Sequence, residues 1–508
     1  MTKQPNIVFI TSDQHRADCL GVAGRKVKTP NLDAMAKRGT RFTNAITPCV
    51  VCQPARASIL TGLLPRTHGV HDNGIDLDPS IGAAGFAGSL AQSGYNTSFF
   101  GKAHFGTNHS RFDTGCPEAI ISSDQYGPDW FGPYMGFEYV ELMLLGHNYF
   151  AIEKPPYGLH YEAFYHADGK GDDKDTLYRG DDSADTKGAA QTFHSKLPLE
   201  WHNTTWTADR AINWLEQQDS EKPFCTWISF PDPHHPFDAP EPWSKLHQPE
   251  DIDLPPHRTR NFANKPWWHE KSLTQEPGGT PEQNKVRKEY SRIPPQTDEQ
   301  LREIIANTYG QIAFIDEQVG RIYDTLEAQG LADNTIVVFS SDHGDWLGDH
   351  GLILKGPMHY EGLLKVPCII TGPGVKAGQI VEDPVSTMDF APTFADYANA
   401  PLRTNGISLS ALAEGQDAPR EYAYNEWDLL PARTGVTLNL RTVKGKRYKL
   451  TIDLASQDGE MYDLQADPYE LVNLYNLPDY AAQQQQLMDW INQRPDDMLP
   501  MGVQVGPA

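Results

Sequence analysis

The chain has 508 residues, 39% of them hydrophobic, and a formal net charge of -24 at pH 7. This length allows about two or three domains, or one large α/β domain with an appendage. The negative charge argues against nucleic acid or an anionic membrane as a partner, because the field of the whole protein would repel both. An anionic substrate would therefore need a local basic pocket.

No segment approaches the roughly 18 apolar residues of a membrane span, and the N-terminus lacks an apolar stretch of signal-peptide length. We therefore expect a cytoplasmic protein. The six cysteines are sparse and irregularly spaced, which predicts free thiols and neither a disulfide framework nor a C-x2-C zinc site. They are Cys19, Cys49, Cys52, Cys116, Cys225 and Cys368.

Strand and helix patterns alternate from the N-terminus onward. The run NIVFIT at residues 6–11 is typical of a buried parallel strand. It is followed by TPNLDAMAKRG, a predicted helix with Asn31 as the N-cap and Gly39 as the stop. Next come a helix over FAGSLAQSG and a strand over YNTSFF. This order predicts the beginning of a parallel α/β sheet.

The same alternation returns in the middle of the chain. ADRAINWLEQQ is a predicted helix and PFCTWISF the strand after it. A long helix over about residues 298–329 opens with a capping box of Thr297 and Gln300. TIVVFSSD at residues 335–342 then repeats the opening strand. We expect a mostly parallel central sheet with helices on both faces.

Polar side chains follow several of the predicted strands. They are Asp13, Lys102, His234 and Asp342. Because ligands of open α/β sheets bind beyond the carboxyl ends of the strands, we expect these four residues to share one crevice.

The predicted domain organisation has two parts. Residues 1–402 form the α/β domain, and residues 403–508 form a smaller C-terminal subdomain with antiparallel strands over VTLNLRTV and RYKLTID. Residues of about 107–200 and 238–297 lack clear periodicity and are too long for simple connections. We interpret them as insertions that cover or line the substrate site.

The segment CQPARASILTG, residues 52–62, is predicted to be a short helix with Pro54 in its first turn and Gly62 as its stop. Cys52 would lie at the helix N-terminus, where backbone N–H groups stabilise an anion. Arg56 could present its guanidinium fork to a tetrahedral oxyanion. Taken alone, the segment is equally compatible with a core cysteine and a surface arginine, or with a cysteine nucleophile that forms a thiophosphate.

The segment resembles the signature of the type I sulfatases, C-x-P-x-R-x-x-x-L-T-G. The resemblance extends over nearly the whole chain, through PNIVFITSDQ, GKAHFG, SSDHGDWLGDHG and the tail MYDLQADPYELVNL. It implies an alkaline-phosphatase-like α/β sandwich with a small C-terminal sheet. It also implies that a formylglycine-generating enzyme oxidises Cys52 to formylglycine, whose hydrated aldehyde acts as the nucleophile.

The resemblance implies one divalent metal ion, Ca2+ in the first place, with Mn2+ or Mg2+ as alternatives. Its ligands would be Asp13, Gln14, Asp342, His343 and the modified Cys52. Oxygen-rich sets of this kind suit hard cations. Many sulfatases have Asp and Asn at the positions of Gln14 and His343, so this chain is closer to the choline-sulfatase and phosphonate monoester hydrolase branches.

The remaining catalytic residues are also implied by the resemblance. Lys102 would contact the sulfate, and His104 would deprotonate the second hydroxyl of the hydrated aldehyde. His234, helped by Lys355, would protonate the departing alcohol, although His235 beside it leaves the register open. Further candidates are Asn73 as a polar substrate contact, and His71 and His359 in weaker, structural roles.

Two other functions remain open at this point. One is a phosphonate monoester or phosphodiester hydrolase on the same site. That branch has uncharged hydroxyl-bearing residues where this chain has Lys102 and His104, which favours sulfate esters. The other is a pseudo-enzyme that binds anions and whose Cys52 is never oxidised.

The sequence leaves assembly into a homo-oligomer open. It also does not identify the alcohol part of the small-molecule sulfate ester. Aromatic residues of the two insertions could form a wall for an aryl group or a quaternary ammonium, although such residues more often form insertion core. They are Trp130, Tyr134, Tyr149, Trp206, Trp267 and Trp268.

Overall fold

The computed structural model describes residues 4–127, 129–144, 159–178, 185–219 and 221–506. Fourteen strands occur in these ranges. In chain order they are β1 (Asn6–Ser12), β2 (Thr40–Phe42), β3 (Ala45–Ile46), β4 (Asn96–Lys102), β5 (Tyr139–Met143), β6 (Phe224–Ser229), β7 (Thr335–Ser341), β8 (Cys368–Thr371), β9 (Gln379–Val381), β10 (Val385–Ser386), β11 (Ala423–Leu429), β12 (Leu438–Lys444), β13 (Tyr448–Asp453) and β14 (Gly459–Asp463).

The α-helices of the described residues lie mainly between these strands. They are α1 (Pro30–Arg38), α2 (Cys52–Thr61), α3 (Pro65–His68), α4 (Pro79–Ala83), α5 (Phe86–Gln92), α6 (Ile120–Ser123), α7 (His160–His166), α8 (Gly171–Tyr178), α9 (Asn203–Leu215), α10 (Trp268–Thr274), α11 (Pro281–Val286), α12 (Asp298–Ala328), α13 (Glu361–Leu364), α14 (Phe390–Tyr397), α15 (Ser410–Ala413), α16 (Pro431–Thr434) and α17 (Ala481–Asn492). None of them is both long and apolar enough to cross a bilayer.

The central sheet has eight strands in the order β5-β4-β6-β1-β7-β8-β2-β9. All of its neighbouring strands are parallel except at β8, which is antiparallel to both β7 and β2. Residues of β1, β6 and β7 are buried throughout, as expected for strands covered on both faces. One core cluster includes Phe9 and Trp227, and the other lies under α9 and α12. The predicted α/β class is thus confirmed.

A second sheet follows in the C-terminal part of the chain. Its strands are antiparallel in the order β11-β12-β13-β14, and α17 packs on β12 and β13. The sequence predicted β12 and β13, whereas β11 and β14 were not recognised. The antiparallel C-terminal sheet is confirmed, and the domain boundary at residues 402 and 403 stays a prediction.

Two local predictions need correction. Helix α1 begins at Pro30, so the N-cap position is Thr29 and not Asn31. Proline is well suited to the first helical position because its fixed φ matches the helix and it has no N–H to satisfy. In addition, the interval 107–200 is not wholly an insertion, because it contains β5, which pairs with β4 at the edge of the central sheet.

The start of α1 is held by a carboxylate from α12. Asp316 accepts hydrogen bonds from the backbone N–H groups of Asn31 and Leu32, at 3.1 and 2.8 Å, and from the Asn31 amide at 3.0 Å. No side chain at the N-cap position of α1 does so. The carboxylate of Asp316 thus replaces the local cap and ties α1 to α12.

We expect Asp316→Ala to destabilise the protein by about 1–3 kcal/mol, because buried N–H donors at the start of α1 lose their acceptor. The matched control is Asp324→Ala, an exposed position of the same helix. Thermal unfolding of the two variants measures the difference. Equal melting temperatures for both would contradict this role of Asp316.

Candidate active site

The site lies at the carboxyl ends of four neighbouring strands of the central sheet. Asp13 follows β1, Asp342 follows β7, Lys102 ends β4 and Ser229 ends β6. Because these strands run parallel and side by side, their ends meet at one edge. Three of the four predicted strand-end residues are therefore brought together by sheet topology alone.

Helix α2 brings Cys52 to this edge. The helix begins at Cys52, and all ten of its residues are buried. Its start is capped from outside, since the side-chain oxygen of Asn73 accepts the backbone N–H of Gln53 at 3.0 Å. Gly62 ends the helix in the left-handed conformation, with φ of 70°, as predicted for a glycine stop.

Arg56 joins the two aspartates. Its Nε donates to Asp342 Oδ2 at 2.9 Å, and its Nη2 donates to Asp13 Oδ2 at 3.2 Å. Its Nη1 is bound by the Lys102 carbonyl oxygen and by Ser229 Oγ, at 2.6 and 2.8 Å. Arg56 and Asp13 are both 0% exposed. All three guanidinium nitrogens of Arg56 therefore bind protein groups. From the sequence we expected Arg56 to face a substrate oxyanion; in the structure it instead positions the two aspartates.

The second oxygens of the two carboxylates lie near Cys52 and His343, and that of Asp342, Oδ1, also accepts the backbone N–H groups of Gln14 and His343 at 3.0 and 2.9 Å. Ligand atoms of Asp13, Cys52, Asp342 and His343 lie within 4.8 Å of one another, and all four residues are buried. His343 Nε2 is 3.9 Å from Oδ1 of Asp13 and 3.9 Å from Oδ1 of Asp342. This group is consistent with a metal site.

Gln14 adds a further candidate ligand. Its side-chain nitrogen donates to Asp345 Oδ2 at 2.6 Å, whereas its oxygen, Oε1, is buried without a hydrogen-bond partner. An unpaired buried amide oxygen is costly unless a ligand satisfies it. Two carboxylates, one amide oxygen and one imidazole form a donor set that suits a hard divalent cation. The residues present therefore fit the implied metal.

Cys52 is surrounded by cationic and imidazole groups. Lys355 Nζ donates to its sulfur at 2.9 Å, and His343 Nε2 lies at 3.2 Å. Burial opposes ionisation of the thiol, but Lys355, His343 and Lys102 outweigh it and hold its pKa well below the usual range. The position favours an anion at residue 52.

Lys102 and His104 both lie close to Cys52. Lys102 Nζ is 2.6 Å from Asp13 Oδ2, and this carboxylate raises the pKa of the lysine despite its burial. The ring of His104 hydrogen-bonds the Cys52 sulfur, and its Nδ1 is buried without a partner. Glu118 fixes this loop by accepting the backbone N–H groups of residues 104–106.

The structure also distinguishes the two adjacent histidines of DPHHPF. His234 hydrogen-bonds Cys52, and burial together with Lys355 and Lys102 lowers its pKa to about 4. The ring of His235 instead contacts Gln191, with 2.5 Å between Nδ1 and Oε1. The geometry therefore selects His234 as the histidine of the site.

Other predicted residues have structural contacts. His71 contacts the Asp428 carbonyl, and His359 contacts Thr442 Oγ1.

Among the aromatic candidates, Trp206 and Trp268 are core residues of separate clusters, whereas Trp267 is 40% exposed. Tyr134 is buried and donates to Glu118. Tyr149 lies outside the described residues, and the other candidates do not form one common wall.

Three supporting residues were missed in the sequence. They are Asp345, which holds Gln14, Ser229, which binds Arg56, and Glu118, which holds the His104 loop. Asp345 could have been noticed, because it lies three residues after Asp342 in SSDHGD. Ser229 ends a predicted strand, which is also a signal. Glu118 lies in an aperiodic segment that gives none.

The candidate metal ligands and the cationic side chains thus both lie next to one buried cysteine. This arrangement is typical of an α/β enzyme that acts on an anionic ester. A family model described as Sulfatase matches residues 5–400, and one described as N-sulphoglucosamine sulphohydrolase, C-terminal, matches residues 348–497. The chain belongs to the sulfatase family and is a hydrolase of sulfate esters. The resemblance predicted from the sequence is confirmed.

Individual relatives agree with this assignment. An arylsulfatase of Clostridium perfringens is 31% identical over 94% of this chain and 91% of its own length. A choline-sulfatase of Rhizobium meliloti is 29% identical, with coverages of 94% and 83%. A phosphonate monoester hydrolase of Agrobacterium radiobacter superposes with a TM-score of 0.75 at 26% identity and covers 97% of each chain. The alkaline-phosphatase-like fold is thereby confirmed.

We expect Arg56→Ala to lose the bound metal and about 3–5 kcal/mol of stability, because two buried carboxylates lose their shared partner. Elemental analysis after purification and thermal unfolding measure the two effects. Arg321→Ala is the control, since its ion pair with Asp209 is partly exposed and worth about 1 kcal/mol or less. Normal metal content in Arg56→Ala would contradict the bracing role.

Proposed function

We propose that this protein hydrolyses small-molecule sulfate monoesters with a formylglycine formed from Cys52 and with one divalent metal ion. The observation that carries the proposal is the surroundings of the Cys52 sulfur. Four side chains that carry or can carry positive charge lie close to it, Lys102, His104, His234 and Lys355, and the carboxylates of Asp13 and Asp342 lie beside the same sulfur. Charge of both signs is thus preorganised around one side chain.

Ligand chemistry supports an oxygen nucleophile in place of sulfur. Asp13, Asp342 and the free Gln14 oxygen are hard ligands, which favour Ca2+, Mg2+ or Mn2+. A thiolate is a soft ligand and matches these ions poorly. Oxidation of Cys52 to formylglycine would put hydroxyl oxygens at this position once the aldehyde is hydrated. The maturation partner would be a formylglycine-generating enzyme.

The four residues around Cys52 have separate roles in the proposal. Lys102 and Lys355 neutralise the oxygens of the sulfate. Burial, Lys355 and Lys102 hold the pKa of His234 low in the free site, and a bound sulfate would offset the charge of the two lysines and raise it, so that His234 can donate a proton to the departing alcohol. His104 accepts a proton from the second hydroxyl at residue 52, through the ring nitrogen that contacts this position. The divalent cation, when bound, supplies further positive charge and lowers the pKa of a hydroxyl at residue 52.

A second candidate function is hydrolysis of phosphonate monoesters or phosphodiesters on the same site. The solved phosphonate monoester hydrolase with TM-score 0.75 favours it. Against it stand Lys102 and His104, which replace the uncharged residues expected for that branch. The third interpretation, an unconverted anion-binding protein, predicts an unmodified thiol at residue 52 and no turnover.

We expect the tryptic peptide that contains residue 52 to be lighter by about 18 Da when the protein is produced with the converting enzyme, because the thiol is replaced by an aldehyde oxygen. Peptide mass spectrometry measures this change. Cys52→Ala should keep the fold and lose turnover. Full activity of Cys52→Ala would refute the mechanism, and an unmodified thiol in inactive protein would support the anion-binding interpretation.

The adjacent histidines provide a matched pair of variants. We expect His234→Ala to slow the release of the first alcohol by about 100-fold or more, since a general acid contributes about 10²-fold to 10⁴-fold. His235→Ala should change this rate little.

His104→Ala should give a burst of alcohol followed by slow turnover, because the loss of a base slows the later step more than the first.

Stopped-flow measurement of alcohol release tests these expectations. A large effect of His235→Ala with none of His234→Ala would reverse the assignment of the two residues. If His104→Ala slows the first turnover without a burst, His104 is not the base of the second step. If the wild type hydrolyses phosphonate monoesters far faster than sulfate esters, the second candidate function is preferred.

A further inference from the structure

A narrow pocket of about 20 Å³ next to the site is lined by three arginines. Three chain segments surround it: the insertion around residues 260–292, the loop 346–357 and helix α16. Arg260, Arg292, Arg433 and Lys355 all line it. Arg287 lies close enough to Arg433 and Arg292 for their charges to repel it. We call Arg287, Arg292 and Arg433 the arginine cluster.

The arginine cluster has no matching carboxylates. Among the residues that the structure describes, none of its three guanidinium groups forms an ion pair. Arg292 uses Nη1 on the Gln275 carbonyl, and its Nε and Nη2 are buried without a hydrogen-bond partner. Arg287 is only 8% exposed, and burial followed by repulsion from Arg433 lowers its pKa to about 9. Unpaired buried cations are costly, so they are typical of a site that a ligand completes.

The nearest acidic groups do not neutralise the cluster. Asp72 attracts both Arg433 and Arg287 without forming an ion pair with either, and its oxygens accept hydrogen bonds from Trp427, Leu430 and Asn73. Glu276 attracts Arg292, but it is largely exposed and paired with Lys288 at 2.8 Å. Because the whole chain carries a charge of -24, an unneutralised group of arginines is a local exception.

A larger cleft elsewhere in the protein provides a contrast. It contains Arg16 and Arg25, which also have little exposure, but both are paired with Asp18, and Arg16 is also paired with Asp349. Arg16 and Arg25 are thus paired by carboxylates of the protein. The arginine cluster differs from these two arginines because no carboxylate that the structure describes pairs with it, although Arg287 donates to Ser291 Oγ and Arg292 to the Gln275 carbonyl.

The pocket adjoins the reacting position. Lys355 lines the pocket and also lies 2.9 Å from the Cys52 sulfur. Arg287 acts electrostatically on His109, which in turn lies near His104. A substrate held by its sulfate at Lys355 would therefore extend toward the arginines.

We propose that the arginine cluster binds a second anionic group of the substrate, a sulfate or a carboxylate, so that the enzyme prefers sulfate esters with two negative charges. This inference rests on the proposed function and names the substrate class of the same site. Guanidinium groups suit either anion, because their planar N–H donors form paired, charge-assisted hydrogen bonds.

Matched substrates test the proposal. We use 4-(sulfooxy)phenylacetate and 3-(sulfooxy)phenylacetate, each compared with its neutral amide, so that the leaving phenols differ little and two distances are sampled. For the wild type, we expect kcat/KM to be at least about tenfold higher for an acid than for its amide, the effect of one charge-assisted contact. Added salt should reduce this preference.

Variants of the arginine cluster test whether these residues cause the preference for the acids. Arg292→Gln and the double variant Arg292→Gln/Arg433→Gln should lose the preference for the acid while the amide is hydrolysed at a similar rate. Arg321→Gln is the charge control and should keep the preference, because Arg321 on α12 is paired with a carboxylate, Asp209 of α9. Arg292 is half-buried, so its single variant remains informative if the double variant does not fold.

Binding separates failure of this inference from failure of the proposed function. Calorimetry with Cys52→Ala measures affinity for the acids and the amides without turnover. Tighter binding of an acid that disappears with Arg292→Gln supports the arginine cluster even if the wild type hydrolyses none of these esters. Equal affinities and equal kcat/KM values for acids and amides in the wild type would overturn it, as would a preference that survives the double variant.

Discussion

The site depends on the bridge that Arg56 makes between two buried carboxylates. Asp13 and Asp342 lie at the ends of adjacent strands. Their negative charges would repel each other strongly in this buried environment. Arg56 binds one oxygen of each, and Lys102 adds a second cation to Asp13. The other carboxylate oxygens then face Cys52 and His343. One arginine thereby neutralises the acidic pair, while the backbone N–H groups of Gln14 and His343 hold the second oxygen of Asp342.

The order of strands explains why this bridge can form. The sheet runs β4-β6-β1-β7, so Lys102, Ser229, Asp13 and Asp342 end next to one another although they are far apart in sequence. Helix α2 carries both Cys52 and Arg56 and crosses this edge. Cys52 and the arginine that joins the two aspartates therefore lie on one fully buried helix. Arginines of the insertion and of α16 surround the same position farther out, which makes a strongly acidic protein locally attractive to anions.

Sequence patterns predicted the structural features that depend on residues close to one another in the chain. Burial of β1 and β7, the capping box of α12 and the glycine stop of α2 follow from short runs of residues, and each was predicted. Contacts between distant residues were not predictable in this way. Asp316 holds a helix 285 positions away, which made Asn31 unnecessary as a cap. The partners that surround Arg56 likewise come from the ends of four strands, so its positioning role depends on the folded sheet. Strand β5 was missed because it is short and lies in an aperiodic segment.

The most direct test of this account is a crystal structure of the converted protein grown with Mn2+, with anomalous scattering used to locate the ion. We predict one anomalous peak bonded to Asp13, Gln14, Asp342 and His343 and to an oxygen of residue 52, with Arg56 still joining the two aspartates behind it. An ion bound elsewhere, or a sulfur at residue 52 in catalytically active crystals, would contradict the account.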